Sequence, residues 1–357
     1  MANIVVGMSG GVDSSVAAAQ LVEAGHHVTG LFMKNWEEDD HADYCAAAED
    51  LADAEQVCSQ LGIELRTVNF AHEYWTRVFQ VFLDEYRNGR TPNPDVVCNK
   101  EIKFKEFLDW AVRLGADRIA TGHYARCEKR GQSYALLKGV DRAKDQSYFL
   151  HTLNQHALGM ARFPLGAMRK KEVRRIARAL NLRTHDKKDS TGICFIGERR
   201  FDDFLSRYLP RQPGDIKTMQ GETVGRHHGA CYYTIGQRRG LGVGGAGEAW
   251  YVAATDVARN LVYAVQGRAH PALFKRVALA EEVHWVAGEP PAPLPLRCAA
   301  KTRYRQADQA CVIAANNAHE SRIEFEQPQW AIAPGQSIVF YQNDTCIGGG
   351  VIRAAEG

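Results

Sequence analysis

The sequence predicts an α/β protein: a doubly wound parallel sheet, followed by a small, mostly β domain and a C-terminal antiparallel β-barrel. Three observations predict this order. Apolar strand-like runs alternate with helical segments over residues 3–121, which is typical of a parallel sheet with helices on both faces. After about Leu209, short strands alternate with glycine turns. Beyond a proline-rich connector at 289–295, further short strands follow at the spacing of a small barrel.

The elements of the α/β part are predicted from hydrophobic periodicity. The run 3–8 is continuously apolar and ends in glycines, as a buried parallel strand does. The pattern that follows, 12–23, is helical and closes at Gly25. The other predicted elements are strands 27–33, 63–70 and 118–121 and helices 46–61, 73–87 and 104–114, with a Pro/Asn-rich loop at 91–95.

Composition excludes several classes of protein. The 357 residues are 45% hydrophobic and 24% charged, which is ordinary for a globular chain and argues against disorder. We find no apolar run long enough for a membrane span, and no basic leader, so we expect a cytoplasmic protein without membrane contact. The nine cysteines include no C-x-x-C pair, so we predict no metal site.

Charge is unevenly distributed, although the net charge is only +2. Residues 1–60 hold one Lys against 11 Asp and Glu, whereas residues 141–200 hold 14 Lys and Arg against 6 Asp and Glu. The basic block suggests a surface that faces a polyanion. The alternative is a solvated helix face, since the cluster Arg169-Lys170-Lys171 lies in a helical pattern.

A glycine- and serine-rich loop between the first strand and the first helix is the strongest functional signal. Its sequence is Gly7-Met8-Ser9-Gly10-Gly11-Val12-Asp13-Ser14. Free N–H groups and the dipole at a helix N-terminus favour an anion there, and adjacent glycines let the backbone approach phosphate oxygens. The loop lacks the Gly-Lys-Ser/Thr ending of a Walker loop, which disfavours transfer of a γ-phosphate.

Two cysteines lie in segments that suit reactive thiols. Cys98 follows Asn93-Pro94-Asp95, just before a predicted helix, where a thiolate is favoured and Asp95 is near enough to accept a proton. Cys194 lies between glycines near the end of the basic block. Either residue could instead be a buried structural cysteine, and the sequence does not show whether the two meet.

Six motifs, taken together, resemble those of the bacterial tRNA-specific 2-thiouridylases, which belong to the PP-loop (N-type) ATP pyrophosphatases. The resemblance runs from the loop into the β-rich region. It implies an adenylating catalytic domain over 1–205, a central β-rich domain over 206–270 and a tRNA-binding barrel over 271–357. The motifs are Ser9–Ser14, Asn93-Pro94-Asp95-x-x-Cys98-Asn99, Thr121-Gly122-His123-Tyr124, the 144–150 segment Lys-Asp-Gln-Ser-Tyr-Phe-Leu, the 192–197 segment Gly-Ile-Cys-Phe-Ile-Gly and the 233–238 segment Tyr-Thr-Ile-Gly-Gln-Arg.

The resemblance implies ATP-dependent 2-thiolation of the wobble uridine of the tRNAs for Lys, Glu and Gln. ATP would be carried in with Mg²⁺, and its α-phosphate would be attacked by uridine O2. Cys194 would carry sulfur as a persulfide, and Cys98 would be the nucleophile left in a transient disulfide with it. The sulfur would come from a relay protein or a cysteine desulfurase.

The resemblance also assigns the binding residues. ATP would lie on Gly7, Met8, Ser9, Gly10, Gly11, Val12, Asp13 and Ser14, with Met33 and Gly122 beside it. The target base would meet Asn93, Pro94 and Asp95, and the tRNA would meet His123, Lys144, Asp145, Gln146, Arg303, Tyr304 and Gln336. Two alternatives stay open: another PP-loop adenylating enzyme, or a non-catalytic module that binds tRNA or nucleotide.

Overall fold

The computed structural model describes residues 1–37, 46–189, 201–315 and 319–357. The strands of this part, numbered in chain order, are β1 Asn3–Met8, β2 His27–Lys34, β3 Glu64–Asn69, β4 Arg118–Ala120, β5 Ala125–Arg130, β6 Ser133–Lys138, β7 Ala161–Arg162, β8 Gly214–Lys217, β9 Thr223–His227, β10 Trp250–Asp256, β11 Leu261–Gln266, β12 Phe274–Trp285, β13 Leu296–Lys301, β14 Gln309–Ala315, β15 Glu320–Trp330, β16 Ser337–Gln342 and β17 Thr345–Glu356. The α-helices are α1 Val12–Glu23, α2 Ala46–Leu61, α3 Ala71–Tyr74, α4 Gln80–Arg87, α5 Pro94–Cys98, α6 Phe107–Arg113, α7 Gln155–Met160, α8 Lys170–Ala179 and α9 Phe201–Leu205.

A parallel sheet forms the N-terminal part, in the order β3-β2-β1-β4-β7. Its central strand β1 is buried from Ile4 to Met8, as its continuous apolar run predicts. Helix α1 packs Val16 and Ala17 against this sheet, and α8 adds Val173 to the same core. The predicted α/β fold is confirmed. The edge strand β7 was not predicted, because two residues are too short to show a period.

The helices around the 91–95 segment differ from the prediction. Residues 71–87 are helical throughout, with a π-helical turn at Trp75–Phe79 between α3 and α4. The next helix begins at Pro94 rather than near Phe104, and continues through the π-helical Asn99–Glu106 into α6. Pro94 occupies the first position of α5, where its fixed φ and missing N–H are tolerated.

The C-terminal half contains two β structures, as predicted. The four strands of the first sheet lie in the order β10-β11-β8-β9. The second is a closed barrel in the order β12-β15-β14-β13-β16-β17, because β12 also pairs with β17. The hairpin β5–β6, which comes from the N-terminal half, extends this sheet by pairing Leu136 with Cys346. The barrel is therefore joined to the α/β part by backbone hydrogen bonds.

No helix in the described ranges is long and apolar enough to cross a membrane.

Candidate active site at the carboxyl edge of the parallel sheet

From β1 the chain adds β2 and β3 on one side, and then returns to add β4 on the other side of β1. The glycine- and serine-rich loop follows β1, at the point where the strand order reverses. Ligands of open α/β sheets bind in the crevice at such a point, outside the carboxyl ends of the strands. A cavity of about 550 Å³ lies instead beside Asn3 and His27, at the amino ends of β1 and β2. We therefore place the site at the loop, where the connections between strands and helices leave backbone groups for a ligand.

The loop is shaped to present backbone N–H groups. Gly10 has φ +66°, and a Cβ there would lie 2.4 Å from the carbonyl oxygen of Asp50, so only glycine fits. Gly11 is the N-cap of α1 and supplies no side chain to cap the helix. Within the loop, the Ser14 hydroxyl donates to the Gly11 carbonyl at 3.1 Å and accepts from the Ser9 N–H at 3.2 Å. The start of α1 is thus left without side-chain caps, which suits an anion.

The predicted nucleotide residues outside the loop lie directly against it. The methyl of Met33 would be 3.3 Å from a Cβ at Gly7. A Cβ at Gly122 would lie 2.9 Å from the backbone C of Asp13 and 2.9 Å from the N of Ser14. The folding of β1, β2 and β4 therefore brings together residues that the sequence separates by more than a hundred positions.

The carboxylate of Asp13 is held by two side chains. The Tyr124 hydroxyl donates to Asp13 Oδ1 at 2.7 Å. Lys170 Nζ lies 2.8 Å from both Asp13 Oδ1 and Oδ2. Burial and the neighbouring Asp13 raise the pKa of the Tyr124 phenol, so the phenol keeps its proton for this hydrogen bond.

Asp189 forms ion pairs with three cations beside the loop. Lys170 Nζ lies 2.7 Å from Asp189 Oδ1, Lys144 Nζ lies 2.6 Å from Oδ2, and Arg174 Nη2 lies 2.8 Å from Oδ1. Burial favours the neutral acid, but the hydrogen bonds from Lys144 and Lys170 outweigh it and hold the pKa of Asp189 well below its usual range. Asp189 is therefore ionised and links the loop to Lys144.

The basic and acidic blocks of the sequence face each other across this region. Besides the contact of Lys170 with Asp13, Lys187 Nζ lies 2.7 Å from Asp50 Oδ1. Arg183 Nε lies 2.8 Å from Asp53 Oδ1. The basic block is thus only in part a free surface. Its exposed cations in the described residues include Arg169, Lys171, Arg175 and Lys188.

The comparisons with known proteins identify the family. A tRNA methyl transferase HUP domain matches residues 2–198, a tRNA methyl transferase PRC-barrel domain matches 202–266, and an aminomethyltransferase beta-barrel domain matches 275–352. The tRNA-specific 2-thiouridylase MnmA of Methylococcus capsulatus is 60% identical over 98% of this chain and 96% of its own. That of Pseudomonas entomophila is 57% identical over 99% of this chain and 95% of its own. The chain belongs to the tRNA-specific 2-thiouridylase family.

Among solved structures, NMN synthetase from Francisella tularensis is 20% identical and covers 56% of this chain and 71% of its own. The TM-score of this pair is 0.34.

The segment that the 2-thiouridylase resemblance assigns to the target base is anchored by the barrel. Asn93 is the N-cap of α5, and Asp95 lies in its first turn. Gln336 Nε2 donates to the Thr91 carbonyl at 2.8 Å, and the Thr91 N–H donates to the Pro334 carbonyl at 2.8 Å. Gln336 therefore supports this segment from the barrel.

Cys98 lies within a helix rather than before one, which corrects the sequence prediction. It is the last residue of α5, four residues after Pro94, and the helical backbone continues beyond it. The argument from a helix N-terminus does not apply, because the dipole effect falls off within the first turn. Its side chain is 0% exposed and belongs to the main core cluster. Cys194, its predicted partner in the 2-thiouridylase scheme, lies outside the described residues.

Three of the predicted tRNA residues have side chains that hold the fold together here. His123 is buried, with Nδ1 2.7 Å from the Thr121 hydroxyl, and burial lowers its pKa, so the ring is neutral. Asp145 is buried and accepts from the N–H groups of Gly139 and Ser147. Gln146 Oε1 accepts from the Tyr124 N–H at 2.9 Å. These three side chains support the loop side of the site.

Two predicted tRNA residues that follow β13 of the barrel, Arg303 and Tyr304, also have partners within the protein. Arg303 Nη2 donates to the carbonyls of Ile235 and Ala331, at 2.8 and 3.0 Å, and burial lowers the pKa of its guanidinium. The Tyr304 ring lies 4.4 Å, centroid to centroid, from the Phe149 ring. Burial raises the pKa of Tyr304 to about 12. Arg303 thereby joins the central sheet region to the barrel.

Sequence reasoning missed Tyr124, Lys170 and Asp189 as parts of the site. Tyr124 lies next to His123 in the motif Thr121-Gly122-His123-Tyr124, which is a usable signal. Lys170 is one of three consecutive basic residues, and no local pattern singles it out. Asp189 stands beside the Ser190–Gly192 part of the cysteine segment without a recognisable motif.

Proposed function

We propose that this chain catalyses ATP-dependent 2-thiolation of the wobble uridine in the tRNAs for Lys, Glu and Gln. The observation that carries the proposal is identity of 56–60% to 2-thiouridylases over nearly the whole chain. The loop at the start of α1 supports the adenylation step, because a helix N-terminus left without side-chain caps suits a phosphate.

In the first step, the loop binds the pyrophosphate part of ATP at the N-terminus of α1. Met33 and Gly122 lie beside the nucleotide. Uridine O2 attacks the α-phosphate, the bond to the β-phosphate breaks, and pyrophosphate leaves. The oxygen of a carbonyl is a poor leaving group, and AMP is a far better one. Backbone N–H groups at the helix terminus stabilise the negative charge that develops.

Mg²⁺ fits this site as an ion carried by the phosphates. Among the described residues there is no group of three or more His, Cys, Asp or Glu that could hold a metal ion. Mg²⁺ is usually bound through substrate phosphates with only one or two carboxylates, and it would offset phosphate charge here. The phosphates would supply its ligands, because both oxygens of Asp13, the carboxylate in the first turn of α1, are already held by Lys170.

In the second step, the terminal sulfur of a persulfide on Cys194 attacks C2 of the adenylated uridine, and AMP leaves. Cys98 is buried here, so tRNA binding must first make it accessible. Its thiolate then attacks Cys194 Sγ, which releases 2-thiouridine and leaves a disulfide between the two cysteines. A thiol reductant restores both thiols, and a donor protein reloads Cys194 with sulfur. Asp95, three residues before Cys98, is the proposed proton acceptor.

The tRNA is proposed to lie against the barrel and the Lys144 region. Lys144 contacts phosphates, while Asn93, Pro94 and Asp95 surround the target base. Four of the predicted tRNA residues have side chains that act by holding these surfaces in place: His123, Asp145, Gln146 and Arg303. Phosphate contacts position the RNA, and the base-binding segment selects the nucleotide.

Release of pyrophosphate from ATP, with and without tRNA, tests the first step. Asp13→Ala should abolish the tRNA-dependent release while leaving the fold intact, because the loop loses the acceptor through which Tyr124 and Lys170 hold it. Asp84→Ala is the matched control, because Asp84 is exposed and pairs only locally with Arg87. Undiminished release by Asp13→Ala would contradict the proposal. Release that needs no tRNA would favour another adenylating enzyme, and no release by the wild type would favour a binding module.

A further inference from the structure

Lys170 occupies a defined position between two carboxylates of the site. It is the first residue of α8, and its backbone N–H donates to Asp141 Oδ2 at 2.9 Å. Its side chain is 12% exposed. Nζ lies 2.8 Å from both oxygens of Asp13 and 2.7 Å from Asp189 Oδ1. A cation this well enclosed is fixed by the fold and is not part of a solvated helix face.

The carboxylate of Asp13 poses an electrostatic problem for an anion site. Asp13 lies in the first turn of α1, so its negative charge occupies the region that attracts the phosphates. Like charges a few ångströms apart repel strongly when water is partly excluded. Either the carboxylate must be neutralised by a cation, or polyphosphate binds weakly.

The geometry of Lys170 favours action through Asp13 over direct contact with phosphate. An ammonium has three N–H donors, and three carboxylate oxygens of Asp13 and Asp189 lie within hydrogen-bond distance of Nζ. The ion-paired cluster of Asp13, Asp189, Lys144, Lys170 and Arg174 holds three cations against two carboxylates. Removing Lys170 takes the cation away from Asp13, whereas Asp189 keeps Lys144 and Arg174.

We propose that Lys170 is a positioning residue for ATP: it offsets the charge of Asp13 so that the loop accepts the polyphosphate. The inference rests on the proposed function, since it assumes that ATP binds at the loop. Core packing fixes the arrangement, because Val173 and Ala177 of α8 are buried in the same cluster as Val16 of α1. Lys170 thereby belongs to the site although it lies 157 residues from Asp13 in sequence.

Calorimetric titration with ATP and Mg²⁺ tests this in the full-length protein. Lys170→Met and Lys170→Gln should bind ATP about tenfold more weakly or worse, and Lys170→Arg should keep most of the affinity because it retains the charge. Lys171→Met, next to it and exposed, should bind as the wild type does. Thermal melting identifies which variants are folded, and Lys170→Gln keeps a neutral hydrogen-bond donor if the methionine variant does not fold.

The double variant Asp13→Asn/Lys170→Met distinguishes the mechanism. With the carboxylate removed, the loss caused by Lys170→Met should largely disappear. An equal loss in the Asp13→Asn background would overturn the proposal, because Lys170 would then act on the phosphates directly. Wild-type ATP affinity in a folded Lys170→Gln protein would also overturn it. Failure of the wild type to bind ATP is a different result, and it would count against the proposed function.

Discussion

The side-chain amide of Gln336 donates a hydrogen bond of 2.8 Å to the backbone carbonyl of Thr91, across 245 residues of sequence. The bond joins the barrel, just before β16, to the segment that leads into Asn93-Pro94-Asp95. A second contact of the same amide, 3.4 Å from the Pro92 carbonyl, lies one residue further on. The barrel therefore sets the position of the proposed base-binding segment.

Gln336→Ala should slow thiolation without weakening ATP binding. A lost hydrogen bond costs about 1 kcal/mol and leaves the Thr91 carbonyl without this partner, so the segment is held less firmly. We expect a lower kcat for tRNA thiolation and an unchanged KM for ATP in steady-state assays. Gln327→Ala, on an exposed barrel position, is the control. A parallel rise in the KM for ATP would contradict the assigned place of Gln336.

Gly122→Ala should impair ATP binding because the added methyl has no room. Its Cβ would lie 2.9 Å from backbone atoms of Asp13 and Ser14, so the loop must shift. Overpacking of this kind costs about 1–3 kcal/mol. We expect tRNA-dependent pyrophosphate release to fall well below that of Gly244→Ala, whose Cβ would meet open space. Equal rates in the two variants would show that the loop is not the nucleotide site.

Lys144→Ala should weaken tRNA binding and reduce the salt dependence of binding by about one unit of slope. ATP affinity should change little, because Lys144 contacts Asp189 rather than the loop. The control is Lys171→Ala, also in the basic block but outside the motifs. Affinities measured across a salt series decide the matter. A flat response, or wild-type affinity in Lys144→Ala, would make the basic block a solvated face only.

Acid should destabilise the fold through its buried histidines. Burial lowers the pKa of His151 from 6.5 to about 4. Between these pH values His151 is largely protonated in the unfolded chain and largely neutral in the folded chain. The free energy of unfolding therefore falls as pH falls. This stability is fully present above 6.5 and is progressively lost toward 4. Urea unfolding across this range should show a smaller loss in His151→Gln than in the control His72→Gln, an exposed position. Equal losses would contradict the assignment.

Local pattern was enough to predict the sheet and the loop. The apolar run Asn3–Met8 and the helical period of Val12–Glu23 are visible in neighbouring residues alone. The adjacent glycines between them predict a loop whose backbone approaches an anion. The barrel followed from short strands with regular turns. The hairpin β5–β6 could not be assigned to it, because its pairing with β17 spans about two hundred residues and depends on tertiary contacts alone.

The site could be predicted only where a motif carries it. The contact of Lys170 with Asp13 depends on how α8 packs against α1, and nothing in the basic run at 169–171 distinguishes Lys170 from its neighbours. The helical position of Cys98 was missed because Pro94 suggested a loop, whereas the proline begins the helix. His123 and Asp145 lie in the expected region but are buried, which motif matching does not reveal.

Nucleoside mass spectrometry of tRNA, after incubation with the protein, ATP, Mg²⁺ and a persulfide donor, tests the central claim most directly. We expect 2-thiouridine at the wobble position together with AMP and pyrophosphate. Cys98→Ser should still release pyrophosphate but form no thiolated nucleoside, while Cys231→Ser should act as the wild type does. Unmodified or methylated uridine with the wild-type protein, or 2-thiouridine with Cys98→Ser, would contradict the account.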